Sequence, residues 1–597
     1  MEKLTALRKL MQQNGLDAYI VTSGDAHGSS WVAEHWGGRK WLTGFTGSAA
    51  TAVVTLTEAG LWTDGRYFIQ AERELSGTGF DLYKMGEPGV PTYQEFILQK
   101  FPDGGHIGFD GQIMTFANFD TLNEKLNPEA GEEAPTLKFS FDQADLLGQM
   151  WSDRPPMSSA PAFEHLPQFA GLSAGEKLRI VRENMQASSI SAYLVAGLDD
   201  VAWLLNIRGR DLPGMPVVYA FALITPKDAN VFIDSAKVAD ISGKLTSQGF
   251  TIEDYSQIES KIKSLPYDGK IYFNANKTST RLAYAIPDEL EEDSESADII
   301  TGLKAAKSDI ELANIRNAFI KEGAAMTKLI KWVDDAVKAG KVFTEDDVAT
   351  TLIGFRKEQE HYIGDSFPAI AAYAANGAQA HYRHEGSGAT VKHDGFLLLD
   401  TGGQYLDGTT DTTRTLVVGK LTDEMKKDFT IVLKGHVNLQ TAVFTKGTTG
   451  HALDMLARQP ILQDCQNYNH GTGHGIGYCL GVHEGPQGIA SRHSGVALVP
   501  GMILSNEPAI YKEGRYGIRT ENVIAVKELC ENENGVFYNF ENLTFCPYDT
   551  RAINPKLLTQ AEKEYVNAYH TKVQEVLAPL LTAEEQMWLK EYCSSII

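Results

Sequence analysis

Asp400 and Asp411 lie in LLLDTGGQYLDGTTDTTRT, and Glu507 and Glu521 lie in SNEPAIYKEGRYGIRTE. Between the two stretches, NHGTGHGIG places His474 among glycines. Four carboxylates and one imidazole are a donor set for a pair of divalent cations. Carboxylates packed together without counter-charge raise one another's pKa. Two divalent ions match four negative charges and remove that repulsion. An oxygen-rich set with one imidazole and no thiolate favours Mn²⁺, Fe²⁺, Co²⁺ or Zn²⁺ over a soft metal, and the dominance of carboxylate points to Mn²⁺.

Such a set needs elements that bring its members to one place. Asp400 ends the apolar run Phe396 to Leu399, and Asp411 follows a glycine-containing turn. Two strands joined by that turn put both carboxylates on one side of a sheet. Glu507 and Glu521 repeat the plan around EGRYG, and His474 comes from a third segment. Taken singly, each of these residues has an ordinary explanation as a turn carboxylate, a strand end or a loop histidine. Asp407, in LDGTTD, is read as a turn residue. GTGHGIG has the glycines of a phosphate-cradling loop but lacks the Lys and Ser/Thr that a Walker motif requires.

The chain of 597 residues is too long for one core, so three or more domains are expected. It is 43% hydrophobic and 22% charged, ordinary for a globular protein, and its net charge of −23 speaks against nucleic acid or anionic lipid as a partner. No apolar run approaches the ~20 residues of a membrane helix. The N-terminus alternates as an amphipathic helix followed by a strand, without the apolar core of a secretory signal. Five scattered cysteines, Cys465, Cys479, Cys530, Cys546 and Cys593, fit a reducing cytoplasm better than a disulfide framework.

An internal repeat organises the first half. EKLTALRKLMQQNGLDAYIV, from Glu2, aligns without gaps on EKLRIVRENMQASSISAYLV, from Glu176. Each copy continues with a Trp-Leu pair, an apolar strand, a turn and a strand ending in Asp. The spacing lies far above the ~20–50 residues of solenoid repeats, so this is domain duplication. SDRPPMSSAPAFEHLPQFAGL reads as the linker. The expected division is an α/β domain over 1–160, its duplicate over 161–303, and an α+β region over 304–597 that holds every candidate ligand and ends in helix. Ser308 and Glu311 have capping-box spacing, and Ile310, Leu312, Ile315, Phe319 and Met326 predict a helix with one buried face.

The motifs DTGGQYLDGTTDTTRT, HGTGHGIG, VHEGP, NEPAIY and GIRTEN, in that order, resemble those of aminopeptidase P (Xaa-Pro aminopeptidase). That is a family of pita-bread metallopeptidases, related to prolidase, methionine aminopeptidase and creatinase. VAWLLNIRGRDLPGMPVVYAFALIT and LWTDGRYFIQAE are similar to the long, three-domain form. The resemblance spans nearly the whole chain. It implies two duplicated creatinase-type N-terminal α/β domains followed by a pita-bread catalytic domain. It implies two divalent metal ions per subunit, Mn²⁺ first and Zn²⁺ or Co²⁺ as options. Asp400 would be a terminal ligand, Asp411 and Glu521 would bridge both ions, and His474 and Glu507 would complete the second. A metal-bridging hydroxide would attack the bond before a proline in the second position, with Glu507 passing the proton to the leaving nitrogen. His381, His470 and His483 would act at the substrate carbonyl, with His384 a rival to His381. Tyr511 and Arg519 would form the proline pocket, and Arg66 would reach towards a substrate in its own or a neighbouring subunit. The family also implies a homodimer. A prolidase or creatinase-like hydrolase shares the ligands, and a non-enzymatic binding protein could keep the fold; cleavage products and bound metal separate these possibilities.

Overall fold

The computed structural model describes residues 2–127, 136–141, 145–265, 269–294, 298–384, 386–492 and 494–597. The chain packs into two compact units: one comprises Met1–Glu164, Leu172–Pro213 and Val217–Ile300, and the other His165–Gly171, Gly214–Pro216 and Thr301–Ile597.

The first unit is built twice from one plan. The helix Glu2–Gln13 buries Leu4, Leu7 and Met11, and the helix Ala174–Ala187 buries Leu178, Val181 and Met185 at the corresponding positions of the repeat. Each helix leads into the central strand of a six-stranded sheet, Ala18–Thr22 in one and Ile190–Val195 in the other. Both central strands pair antiparallel with the next strand on one side, Thr51–Thr55 or Ala220–Ile224. On the other side both pair parallel, with Gly105–Phe109 or Lys270–Phe273. The remaining pairings also match, parallel at both outer edges. Duplication of sequence is thus duplication of topology.

The second unit is α+β. The long helix Asp309–Lys338 starts at a capping box in which Ser308 and Glu311 satisfy each other's backbone N–H groups. Ile315, Phe319 and Met326 are buried on it as expected, but Ile310 is 50% exposed. At about 100° per residue, Ile310 lies on the face opposite Ile315, Phe319 and Met326, so it does not share their buried stripe. The helices Glu345–Lys357, Asp423–Gln440, Gly450–Gln463 and Gln560–Leu577 pack around antiparallel strands.

Two of those ladders matter for chemistry. Phe396–Thr401 pairs with Thr412–Val417 and closes on Asp400 opposite Thr413 and Thr401 opposite Thr412. Ile503–Asn506 pairs with Asn522–Asn532 and closes on Asn506 opposite Asn522. Each ladder therefore ends beside its own pair of carboxylates. Between Glu507 and Glu521 the chain makes a second hairpin, Ala509–Lys512 with Tyr516–Arg519.

Candidate active site

Asp411, His474 and Glu521 each offer a donor atom within 4.8 Å of the others. His474 Nε2 stands 3.5 Å from Asp411 Oδ2 and 3.6 Å from Glu507 Oε1. The backbone N–H of Glu521 donates to the Thr413 carbonyl at 3.1 Å, and Thr413 Oγ1 donates to Glu521 Oε2 at 2.7 Å, so the Asp hairpin and the Glu hairpin are tied at their tips. The strand Gly473–His474 approaches the Glu507 strand closely: a Cβ on Gly473 would lie 1.9 Å from the Ser505 carbonyl oxygen. His474 N–H donates to Ser505 Oγ at 2.9 Å, and the Glu507 N–H donates to the Thr472 carbonyl at 2.8 Å.

The imidazole of His474 is oriented for a ligand. Its Nδ1 faces the Gly475 carbonyl at 3.0 Å. A carbonyl only accepts, so Nδ1 bears a hydrogen there and Nε2 is the nitrogen turned to the acids.

Burial, then the charges of Asp400 and Glu507, hold Asp411 well above the usual carboxylate range. Burial, then Asp411, Glu507 and Asp400, do the same to Glu521. Burial also raises Glu507, with Asp400 adding to the effect and His474 and Arg519 opposing it. Arg519, 2% exposed, answers part of this charge. Its Nη2 donates to Asp400 Oδ2, its Nη1 to the Tyr511 hydroxyl, and its Nε to Thr413 Oγ1 at 3.2 Å. One guanidinium does not neutralise four carboxylates. Asp400 Oδ1 is buried without a hydrogen-bond partner. An under-compensated, oxygen-rich cluster with an unsatisfied carboxylate oxygen fits divalent cations.

The histidines expected at the substrate separate into different settings. His470 Nδ1 faces the Gly471 carbonyl at 2.8 Å and its Nε2 faces the Tyr511 hydroxyl at 3.0 Å. Burial, reinforced by Arg519, pushes His470 down to about 3, so it is neutral. Tyr511 already accepts from Arg519, so its O–H donates to His470 Nε2. Both ring nitrogens are thereby occupied, and His470 supports Tyr511. His483 is exposed, with its ring 4.2 Å from that of His474 at 71°. His381 is partly buried on the loop after the 3₁₀ turn Ala374–Ala378. His384 Nδ1 bonds instead to the nearby Gly386 carbonyl at 2.9 Å. Asp407 sits in its turn but is buried, with Oδ1 2.6 Å from Lys321 Nζ. Arg66 forks onto Asp64, Nε to Oδ1 at 2.8 Å and Nη2 to Oδ2 at 2.7 Å, in the first unit. Thr413 and Ser505, which orient Glu521 and His474, escaped notice in the sequence; the Thr run of TDTTRT is the signal for the first.

Carboxylates at the tips of two antiparallel hairpins, met by one imidazole from a third strand, form the donor set of a metallohydrolase. Residues 313–528 match metallopeptidase family M24, and 536–596 match its C-terminal region. Residues 3–136 and 153–311 each match a creatinase/prolidase N-terminal domain. The chain is 37% identical to a probable Xaa-Pro aminopeptidase P of Coprinopsis cinerea, covering 100% of this chain and 98% of the relative. It is 39% identical to one of Fusarium vanettenii, covering 96% and 94%. Among solved structures, an X-prolyl aminopeptidase from Caenorhabditis elegans, described as a cytosolic enzyme with a di-nuclear active site, superposes with TM-score 0.93 at 32% identity, covering 100% of this chain and 99% of that one. The chain belongs to the Xaa-Pro aminopeptidase P family, within metallopeptidase family M24.

Proposed function

We propose that this chain is a metal-dependent aminopeptidase that releases the N-terminal residue from peptides with proline in the second position. The convergence of Asp411, His474 and Glu521 carries the proposal, in a chain similar along its whole length to Xaa-Pro aminopeptidases. Asp400, Asp411, His474, Glu507 and Glu521 would hold two divalent ions, with Asp411 and Glu521 shared, and Mn²⁺ is the ion that such a set favours. When bound, the ions lower the pKa of water towards neutrality and stabilise developing negative charge.

The chain's own groups supply the rest. Arg519 holds Asp400 by Oδ2 and so leaves Oδ1 for a ligand. Glu507, whose burial favours the protonated form, takes a proton at its carboxylate and returns it to the leaving nitrogen. His381, His470 and His483 hold the substrate carbonyl and its developing charge. His470 also fixes the Tyr511 phenol, which walls the proline pocket beside Arg519. An Xaa-Pro bond has a tertiary amide nitrogen without an N–H and a ring that restricts rotation, so it needs such a dedicated pocket. Arg66, forked on Asp64, is a proposed substrate-binding residue.

The division at 160 and 303, a homodimer and a cytoplasmic location complete the proposal. Among the described residues no helix is long and apolar enough to cross a membrane, and all five cysteines are free thiols.

Mass spectrometry of products from Arg-Pro-Pro, Ala-Pro and Arg-Ala-Ala, with Mn²⁺ and with chelator, tests the activity. Release of Arg from Arg-Pro-Pro, not from Arg-Ala-Ala, and its loss with chelator are expected. Cleavage confined to Ala-Pro would make the enzyme a prolidase instead.

A further inference from the structure

The strands that carry Glu507 and Glu521 rest on a polar chain that begins far away in sequence. His436, on the helix Asp423–Gln440, is fully buried, with Nδ1 3.1 Å from the Asn506 carbonyl oxygen. That carbonyl only accepts, so Nδ1 holds the proton. Burial and the nearby Arg414 push His436 down to about 3, so the ring is neutral and Nε2 keeps its lone pair. Nε2 lies 3.0 Å from the Tyr548 hydroxyl, which therefore donates to it. The Tyr548 oxygen in turn accepts from Asn522 Nδ2 at 3.0 Å. Every donor in this chain points the same way, from Asn522 through Tyr548 and His436 to Asn506. Its two ends are the residues next to Glu521 and Glu507, and they face each other across the ladder.

Arg414 braces the same ground. Its Nη1 donates to the Glu521 carbonyl at 2.6 Å and the Thr413 carbonyl at 2.8 Å. Its Nη2 lies 2.7 Å from the Cys546 carbonyl, 2.8 Å from Asn522 Oδ1 and 3.0 Å from the Tyr569 hydroxyl, and shares its two N–H groups among them. Its guanidinium lies 4.7 Å from the centre of the Tyr548 ring, which stacks on Tyr569 at 4.6 Å. Tyr548 N–H donates to His570 Nε2 at 3.0 Å, so both its backbone and its ring are held by the helix Gln560–Leu577. Cys546, Tyr548, Tyr569 and His570 all belong to the C-terminal region matched over 536–596.

We infer that this C-terminal region is part of the metal centre's support, and that Tyr548 is a positioning residue that sets, through His436 and Asn522, the separation of the strands carrying Glu507 and Glu521. The inference rests on the proposed role of those carboxylates as metal ligands. Partners that orient ligands without touching the metal typically govern about 10–100-fold in metal affinity.

Tyr548→Phe tests it, because it keeps the ring against Arg414 and Tyr569 and deletes only the hydroxyl. Mn²⁺ is titrated by calorimetry into the full-length protein after removal of bound metal. Leu589→Ala, in the same C-terminal region and in the core cluster that also holds Tyr548, serves as a variant that costs stability without removing a member of the hydrogen-bond chain. Weakening of Mn²⁺ binding by about 10-fold or more in Tyr548→Phe, with Leu589→Ala unchanged, is expected. Wild-type affinity in a folded Tyr548→Phe overturns the inference, as does equal weakening in both variants. Should Tyr548→Phe not fold, His436→Gln cuts the chain on its other side and is read against the same control. A wild-type protein that takes up no Mn²⁺ overturns the metal-centre proposal itself and this inference with it, whereas the other two failures leave that proposal standing.

Discussion

At the scale of single residues, the acids and Arg519 form a charge balance that is incomplete without cations. Asp411→Asn keeps the size of the side chain and removes its charge. It is expected to lower kcat/KM on Arg-Pro-Pro by about 100-fold or more and to reduce retained metal. Steady-state kinetics with metal analysis after dialysis checks this, and full activity in the variant would refute the proposed bridging role. Arg519→Met removes the guanidinium that Asp400 and Tyr511 share. Breaking a buried pair from one side costs about 3–5 kcal/mol. Urea unfolding of chelator-treated protein should show a loss of that order, and added Mn²⁺ should shrink it by supplying the missing positive charge. An unchanged urea midpoint would mean that the acids do not depend on Arg519.

At the scale of elements, the loop that carries His381 is held by one carboxylate. Glu345, the first residue of the helix Glu345–Lys357, is 0% exposed. Its Oε1 accepts from the Tyr373 N–H at 2.7 Å and Asn376 Nδ2 at 2.8 Å. Its Oε2 accepts from the Tyr382 hydroxyl at 2.9 Å and the Ala389 N–H at 2.7 Å. An amide cannot accept at both ends, so Glu345→Gln sets an NH₂ against two donors. The cost of stranding buried donors is about 1–3 kcal/mol each. Loss of about 2–4 kcal/mol in urea unfolding, with faster proteolytic cutting between 379 and 390, is the expected outcome. A variant as stable and as resistant as the wild type would show that the loop holds itself.

At the scale of the whole molecule, the two units need not share one pH response. In the first unit Asp110 follows the strand Gly105–Phe109. Burial, then the charge of Asp145, raises it to about 6. Its protonated form is favoured in the folded state, so its contribution to stability is complete below the ordinary carboxylate pKa and is lost as pH rises through about 6. Thermal unfolding of the first unit should therefore fall in Tm between pH 4 and 6, and Asp110→Asn should flatten that slope. The same slope in the variant would assign it to other groups. The proposed metal ligands all lie in the second unit, so unfolding followed with and without chelator separates any effect of metal from that of Asp110.

Much of this protein is determined by local pattern. The donor types and their glycine- and threonine-rich settings single out Asp400, Asp411, His474, Glu507 and Glu521 as candidate donors, of which Asp411, His474 and Glu521 converge. The gapless repeat from Glu2 and Glu176 yields two sheets of one topology, because the same spacing of buried residues builds the same helix against the same strand. The capping box at Ser308 is legible for a similar reason, since its partners are three residues apart. Other properties depend on partners distant in sequence, and only the tertiary structure decides them. That Arg519 binds Asp400, that Tyr511 occupies His470, that Glu345 holds the His381 loop and that Tyr548 links Asn522 to His436 are contacts across long separations. They arise when antiparallel hairpins and a C-terminal helix close on one another, and no periodicity or motif encodes which of many buried polar groups will meet there.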